Sequence, residues 1–112
     1  MILVVGNTKG GVGKTTLAVN LAIARTLADR DVLLVDGDEQ GTATGFTELR
    51  TEQLGRPGYT AVSLHGAAIR TQTRQLAPKY ADVIIDVGGR DTGSLRESVA
   101  RIRPVASGGE LM

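Results

Sequence analysis

Three short stretches of the chain are apolar without alternation: ILVV at 2–5, VLLV at 32–35 and VII at 83–85. A strand that is apolar on both faces belongs to a parallel sheet with helices on each side, since a strand with one wet face alternates. TAVSL at 60–64, bounded by the turn-rich GRPG at 55–58, predicts a further and weaker strand. Residues 15–29 are apolar almost all round, through Leu17, Val19, Leu21, Ile23 and Leu27, as for a helix laid on a sheet. Residues 42–53 and 66–77 predict two more polar helices. Ser94 with Glu97 forms a capping-box pattern, Leu95, Val99 and Ile102 continue at helical spacing, and Pro104 ends that helix. Strand alternating with helix gives an α/β fold, a parallel sheet with helices on both faces and right-handed crossovers. No internal repeat is visible. The pattern predicts one core over 1–103 and a flexible tail over 104–112.

Composition narrows the function classes. A length of 112 residues holds one small domain. The net charge of +1 gives no bulk attraction for a polyanion, though a local basic patch stays open. The lack of cysteine excludes disulfides and thiolate metal sites and fits a cytoplasmic location. No apolar run reaches the roughly 18 residues of a membrane span. MILVVGN enters a strand at once, without a basic leader, and predicts no signal peptide. Phe46, Tyr59 and Tyr80 are too few for a base-stacking platform. His65, the single histidine, excludes a histidine metal cluster and is expected at a strand end without a chemical role.

The chemistry concentrates in NTKGGVGKTT at 7–16, between the first strand and the first helix. The standard phosphate loop is G-x-x-x-x-G-K-[ST]. Here its first glycine position is Thr8, followed by Lys9-Gly10-Gly11-Val12-Gly13-Lys14-Thr15-Thr16. Gly10, Gly11 and Gly13 let the backbone turn its N–H groups inward as an anion nest. The helix beginning near Thr15 adds the positive end of its dipole. Lys14 suits the outer phosphates, the Thr15 hydroxyl suits Mg²⁺, and Thr16 can bond a phosphate oxygen. Two further carboxylate motifs lie where parallel sheets bind ligands. LLVDGDEQGTAT puts Asp36 at the C-terminal end of a strand with Asp38 just beyond, and DVIIDVGG does the same with Asp86. Each aspartate alone reads equally well as a strand-end turn former.

The lysine-rich loop K-G-G-x-G-K-T-T resembles the deviant Walker A motif of the ParA/MinD family of ATPases. The resemblance runs from residue 1 to about residue 103 and implies a P-loop NTPase, specifically the N-terminal half of a ParA-like fold. It implies that Lys9 reaches across an ATP-dependent homodimer to the nucleotide of the other subunit. It also implies ATP and Mg²⁺ as cofactors, Asp38 orienting the attacking water, Asp86 as the Walker B aspartate and Asp36 supporting the Mg²⁺ network. The function implied is a ParA-type ATPase for plasmid or chromosome partition, in a bacterial cytoplasm on the nucleoid. Its partners would be a centromere-binding ParB-like adaptor and non-specific DNA.

The chain departs from that family at Glu39, where proline is usual, and at VGG after Asp86, where TPP is commoner. Near residue 96 the text ceases to look like the family, so the chain reads as truncated or frameshifted, with the DNA-binding surface and adenine contacts beyond it. ILVV would then be an exposed apolar edge, which predicts marginal stability and poor solubility. Three other readings stay open. One is a non-catalytic nucleotide-binding remnant. Another is a MinD-like division-site placement ATPase, for which VASGGELM offers no amphipathic membrane helix. The last is direct nucleic-acid binding through Arg96, Arg101 and Arg103.

Overall fold

The computed structural model describes residues 1–6 and 14–87, with the side chains of Lys14 and Thr15 outside that description. The loop residues Lys9, Gly10, Gly11, Val12 and Gly13, the helix expected over 94–103 with its three arginines, and the tail expected over 104–112 all lie outside the described residues.

Each apolar run becomes a strand. In chain order the elements are β1 (Ile2–Val5), α1 (Lys14–Leu27), β2 (Val32–Asp36), α2 (Thr42–Leu54), β3 (Thr60–Ser63), α3 (Ala67–Leu76) and β4 (Asp82–Asp86). A short 3-10 turn, Ala77–Lys79, leads from α3 towards β4. The four strands are all parallel, in the order β1-β4-β2-β3. Among the described residues β1 has one strand neighbour, so it is an edge there, with Ile2 and Leu3 half-buried.

The absence of alternation in β2 and β4 has a simple cause. Val32, Leu34 and Ile84 face a core layer with Ala18, Val19 and Ala22 of α1, Ala43 of α2 and Tyr59. Leu33, Val35, Val83 and Ile85 face the opposite layer, against Ile69 and Leu76 of α3, Ala77 and Tyr80. Helices therefore cover both faces, as the pattern requires. α1 packs on the sheet as expected, but it buries only one of its apolar faces, with Leu17 52% and Leu27 77% exposed. Its sheet-facing stripe is the small set Ala18, Val19 and Ala22, which lets the helix lie close to the strands.

The end of the sheet opposite the strands' C-termini is held by a buried carboxylate. Asp82, fully buried, accepts hydrogen bonds from Arg25 (Nε 2.9 Å, Nη2 3.3 Å) and Arg30 (Nε 2.7 Å, Nη2 3.2 Å). The Met1 amino group lies 3.4 Å away. The end of α1 brings the two arginines together. Asp29 takes the left-handed conformation (φ 65°), its N–H bonds the Thr26 carbonyl at 3.0 Å, and Arg30 N–H bonds the Arg25 carbonyl at 3.1 Å. That pairing is a Schellman motif with aspartate in the position glycine usually fills. No described helix is long and apolar enough to cross a membrane.

Candidate functional site

The candidate site lies at the C-terminal edge of the sheet, where parallel strands bind ligands. Strand order assembles it. β4 sits between β1 and β2, so Asp86 is register partner to Val5 on one side and to Asp36 on the other. Residues 7–13, the phosphate-loop sequence, leave β1 just beyond Val5, and α1 begins at Lys14. The helix N-terminus thus starts from the same edge as the two aspartates, with its first-turn N–H groups available to an anion. Thr16 is exposed in that first turn.

Asp36 and Asp86 are 1% and 0% exposed. Adjacent strands lie about 4.8 Å apart, so the register sets the two aspartates on neighbouring strand ends. The backbone around them is laced together. Gly37 N–H donates to the Asp86 carbonyl at 2.7 Å, Leu64 N–H to the Asp36 carbonyl at 3.0 Å, and Val87 N–H to the Val5 carbonyl at 3.0 Å. Gly37 cannot readily be larger. A Cβ there would stand 2.9 Å from Ile69 Cδ1, 3.0 Å from Val87 Cγ1 and 3.3 Å from the Asp86 carbonyl oxygen.

Asp36 accepts three local hydrogen bonds. Oδ2 accepts the Thr44 N–H at 2.8 Å and the Thr44 hydroxyl at 2.6 Å, and Oδ1 accepts the Asp38 N–H at 3.2 Å. A carboxylate has about four lone-pair sites, so one on Oδ1 stays open. That suits hydrated Mg²⁺, which keeps most of its water and is commonly held by one or two carboxylates. Asp36 would suit such an ion while keeping its bonds to Thr44. Among the described residues no three Asp, Glu, His or Cys side chains gather as a ligand group.

Asp38 is half-buried on the loop after β2, and its Oδ1 accepts the Gln40 N–H at 3.0 Å. It therefore forms a strand-end turn. His65 follows β3 on the surface, its Nε2 3.2 Å from the Ser63 hydroxyl. The structure thus brings Asp36, Asp38, Asp86 and the start of α1 to one edge. Sequence reasoning missed Thr44, whose signal was a threonine in the third position of a helix that begins behind a side-chain-free glycine.

Comparison with known proteins bears on the family and the fold. The family model described as CobQ/CobB/MinD/ParA nucleotide binding domain matches residues 3–111. The chain is 32% identical over 115 residues to the chromosome partitioning protein ParA of Myxococcus xanthus, covering 95% of this chain and 40% of that protein. It is 35% identical over 100 residues to the chromosome-partitioning ATPase Soj of Thermus thermophilus, covering 87% of this chain and 40% of the other. A shorter match, 56% identical over 54 residues, is to the maintenance of carboxysome distribution protein A of Gloeobacter kilaueensis, covering 48% of this chain and 24% of that one. The chain spans at most 40% of the length of these relatives. A plasmid partition protein from Borrelia burgdorferi shares the fold, with a TM-score of 0.65 at 20% identity over 88% of this chain and 60% of that one. The chain belongs to the CobQ/CobB/MinD/ParA nucleotide-binding domain family.

Proposed function

We propose that this chain carries the nucleotide site of a ParA-type partition ATPase that binds Mg-ATP, dimerises on it and hydrolyses it to drive DNA segregation. The observation that carries this reading is the register of Val5, Asp86 and Asp36 across three neighbouring strands. It puts two buried carboxylates beside the strand–loop–helix unit whose loop has the phosphate-binding sequence. Backbone N–H groups of Gly10, Gly11, Val12 and Gly13, with Thr16, would hold the phosphates, and Lys14 would neutralise their outer oxygens. Thr15 would meet the metal directly, while Asp36 and Asp86 would hold its water shell. Mg²⁺ supplies charge neutralisation at the outer phosphates when bound.

Asp38, whose Oδ1 accepts the Gln40 N–H, would accept a hydrogen bond from the attacking water and orient it. Lys9 would reach the nucleotide of the partner protomer. Such hydrolysis is mainly positioning and charge stabilisation, so no serine, cysteine or histidine nucleophile is needed. A ParB-like adaptor and non-specific DNA are the partners proposed for the whole protein, with the bacterial nucleoid as its place of work. Names of the ParA and Soj relatives support the partition role.

The test is the melting temperature with Mg-ATP, Mg-ADP and neither, for the parent and Lys14→Ala, followed by phosphate release. Ligand at 100 times its dissociation constant stabilises the native state by about 2.7 kcal/mol. A nucleotide shift confined to the parent is expected. Equal melting in all conditions overturns the reading, and a shift without turnover leaves binding while removing hydrolysis.

A further inference from the structure

α2 begins without a cap of its own. Its N-cap residue is Gly41, at φ 66° and ψ 26°, with no side chain to accept the unpaired N–H groups of the first turn. The acceptor comes from the sheet instead. Asp36, at the end of β2, takes the N–H of Thr44 in that first turn, and the same Oδ2 atom takes the Thr44 hydroxyl. Its other oxygen takes the Asp38 N–H. These bonds to a 1% exposed carboxyl group are made away from water, where hydrogen bonds are strong.

We propose that Thr44 is a positioning residue of the hydrolytic site: its clasp on Asp36 closes the 37–41 loop and thereby sets the Asp38 carboxylate. The part that concerns hydrolysis rests on the ATPase reading, whereas the clasp itself does not. The loop between β2 and α2 is tied at its start by Gly37 N–H to the Asp86 carbonyl, at 2.7 Å. Within it, Gln40 and Gly41 N–H groups bond Asp38, through Oδ1 and the carbonyl respectively, each at 3.0 Å. Asp38 is thus the hub of the loop, and its own N–H hangs on Asp36.

At the far end, Thr44 fastens the first turn of α2 to that same carboxylate. Two donors of one residue converge on one oxygen, which turns Asp36 so that Oδ1 faces Asp38. Without the Thr44 hydroxyl, Oδ2 keeps a single partner and the carboxylate can rotate, and Asp38 loses its fixed anchor. Threonine suits the position because its β-branch restricts χ1 and holds the hydroxyl in place.

The experiment compares the parent with Thr44→Val, which keeps the β-branch and deletes the hydroxyl, and with Thr44→Ser, which restores it. Steady-state hydrolysis with Mg-ATP is measured beside amide hydrogen exchange of the nucleotide-free protein. Hydrogen bonds to charged groups contribute about 1.5–3 kcal/mol, so their loss reads as roughly a ten- to hundredfold change. Thr44→Val should lower kcat by about tenfold or more, with KM within about twofold, since the phosphate loop is untouched. It should also speed exchange at the Asp38, Gln40 and Gly41 amides by a similar factor. Thr44→Ser should return both towards the parent.

Unchanged loop exchange in Thr44→Val overturns the proposal, as does a fall in kcat that serine does not rescue. A parent without turnover removes the ATPase reading, and the exchange arm still decides whether Thr44 closes the loop. Should Thr44→Val not fold, Asp36→Asn takes its place, with faster loop exchange supporting the clasp and unchanged exchange refuting it.

Discussion

Replacing Asp82 with asparagine removes the charge that Arg25 and Arg30 share while keeping the side chain's size. Burial pushes the Asp82 carboxyl up, but hydrogen bonds from Arg30 and Arg25 and the charges of both arginines outweigh it, taking the pKa from 3.8 to about 2. At 1.36 kcal/mol per unit, that difference is worth roughly 2 kcal/mol of native-state stability at neutral pH. Breaking a fully buried ion pair costs about 3–5 kcal/mol. Here the arginine side chains are 37% and 40% exposed, so the stranded cations can reach water, and the lower figure applies. For a domain of this size, roughly 2 kcal/mol lowers Tm by about 10 °C.

The sign follows from a folded-state pKa below the unfolded one. The stabilisation is fully present above the unfolded value near 3.8 and is lost as pH falls through about 2. Urea unfolding of parent and Asp82→Asn from pH 7 to pH 2 isolates this group, because all other acids are common to both proteins. The stability gap should hold steady down to about pH 4 and then close towards pH 2. A gap under about 0.5 kcal/mol at pH 7, or one that persists to pH 2, refutes the reasoning.

Three further substitutions test other parts of the molecule. The Thr73 hydroxyl is buried and has no hydrogen-bond partner among the described residues, so Thr73→Val should leave stability unchanged or raise it by up to about 1 kcal/mol, read from the urea midpoint. Gly37→Ala should cost about 1–3 kcal/mol and slow nucleotide turnover, because its Cβ would press on Ile69, Val87 and the Asp86 carbonyl. Asp29→Gly should raise stability by about 0.5 kcal/mol, since glycine enters the left-handed conformation without the strain of a side chain. Thermal melting checks that gain, and a lower Tm would show that the Asp29 side chain helps hold the end of α1.

β2 and β4 were legible because their residues are buried on both faces, and a doubly buried strand leaves an unbroken apolar run. The run VII understates β4, which extends over Asp82–Asp86. A local pattern reads a carboxylate as the end of a strand. Asp82 is inside because two arginines from the end of α1 come to it through a Schellman turn that apolar periodicity does not encode. Asp36 and Asp86 were expected at strand ends, but their adjacency is a property of strand order. β4, last of the described strands in the chain, inserts between the first two and carries Asp86 to the side of Asp36. The same logic hid Thr44. Motif reading gives Thr44 no role, whereas the capping partner of α2 lies back across the loop on β2. A helix that begins behind a bare glycine must find an acceptor for its first-turn N–H groups, and here the nearest buried carboxylate is also the one proposed to face the metal. Capping α2 and shaping the candidate site are therefore one interaction in this chain, so a change made to stabilise the helix at Gly41 also bears on the direction of Asp38.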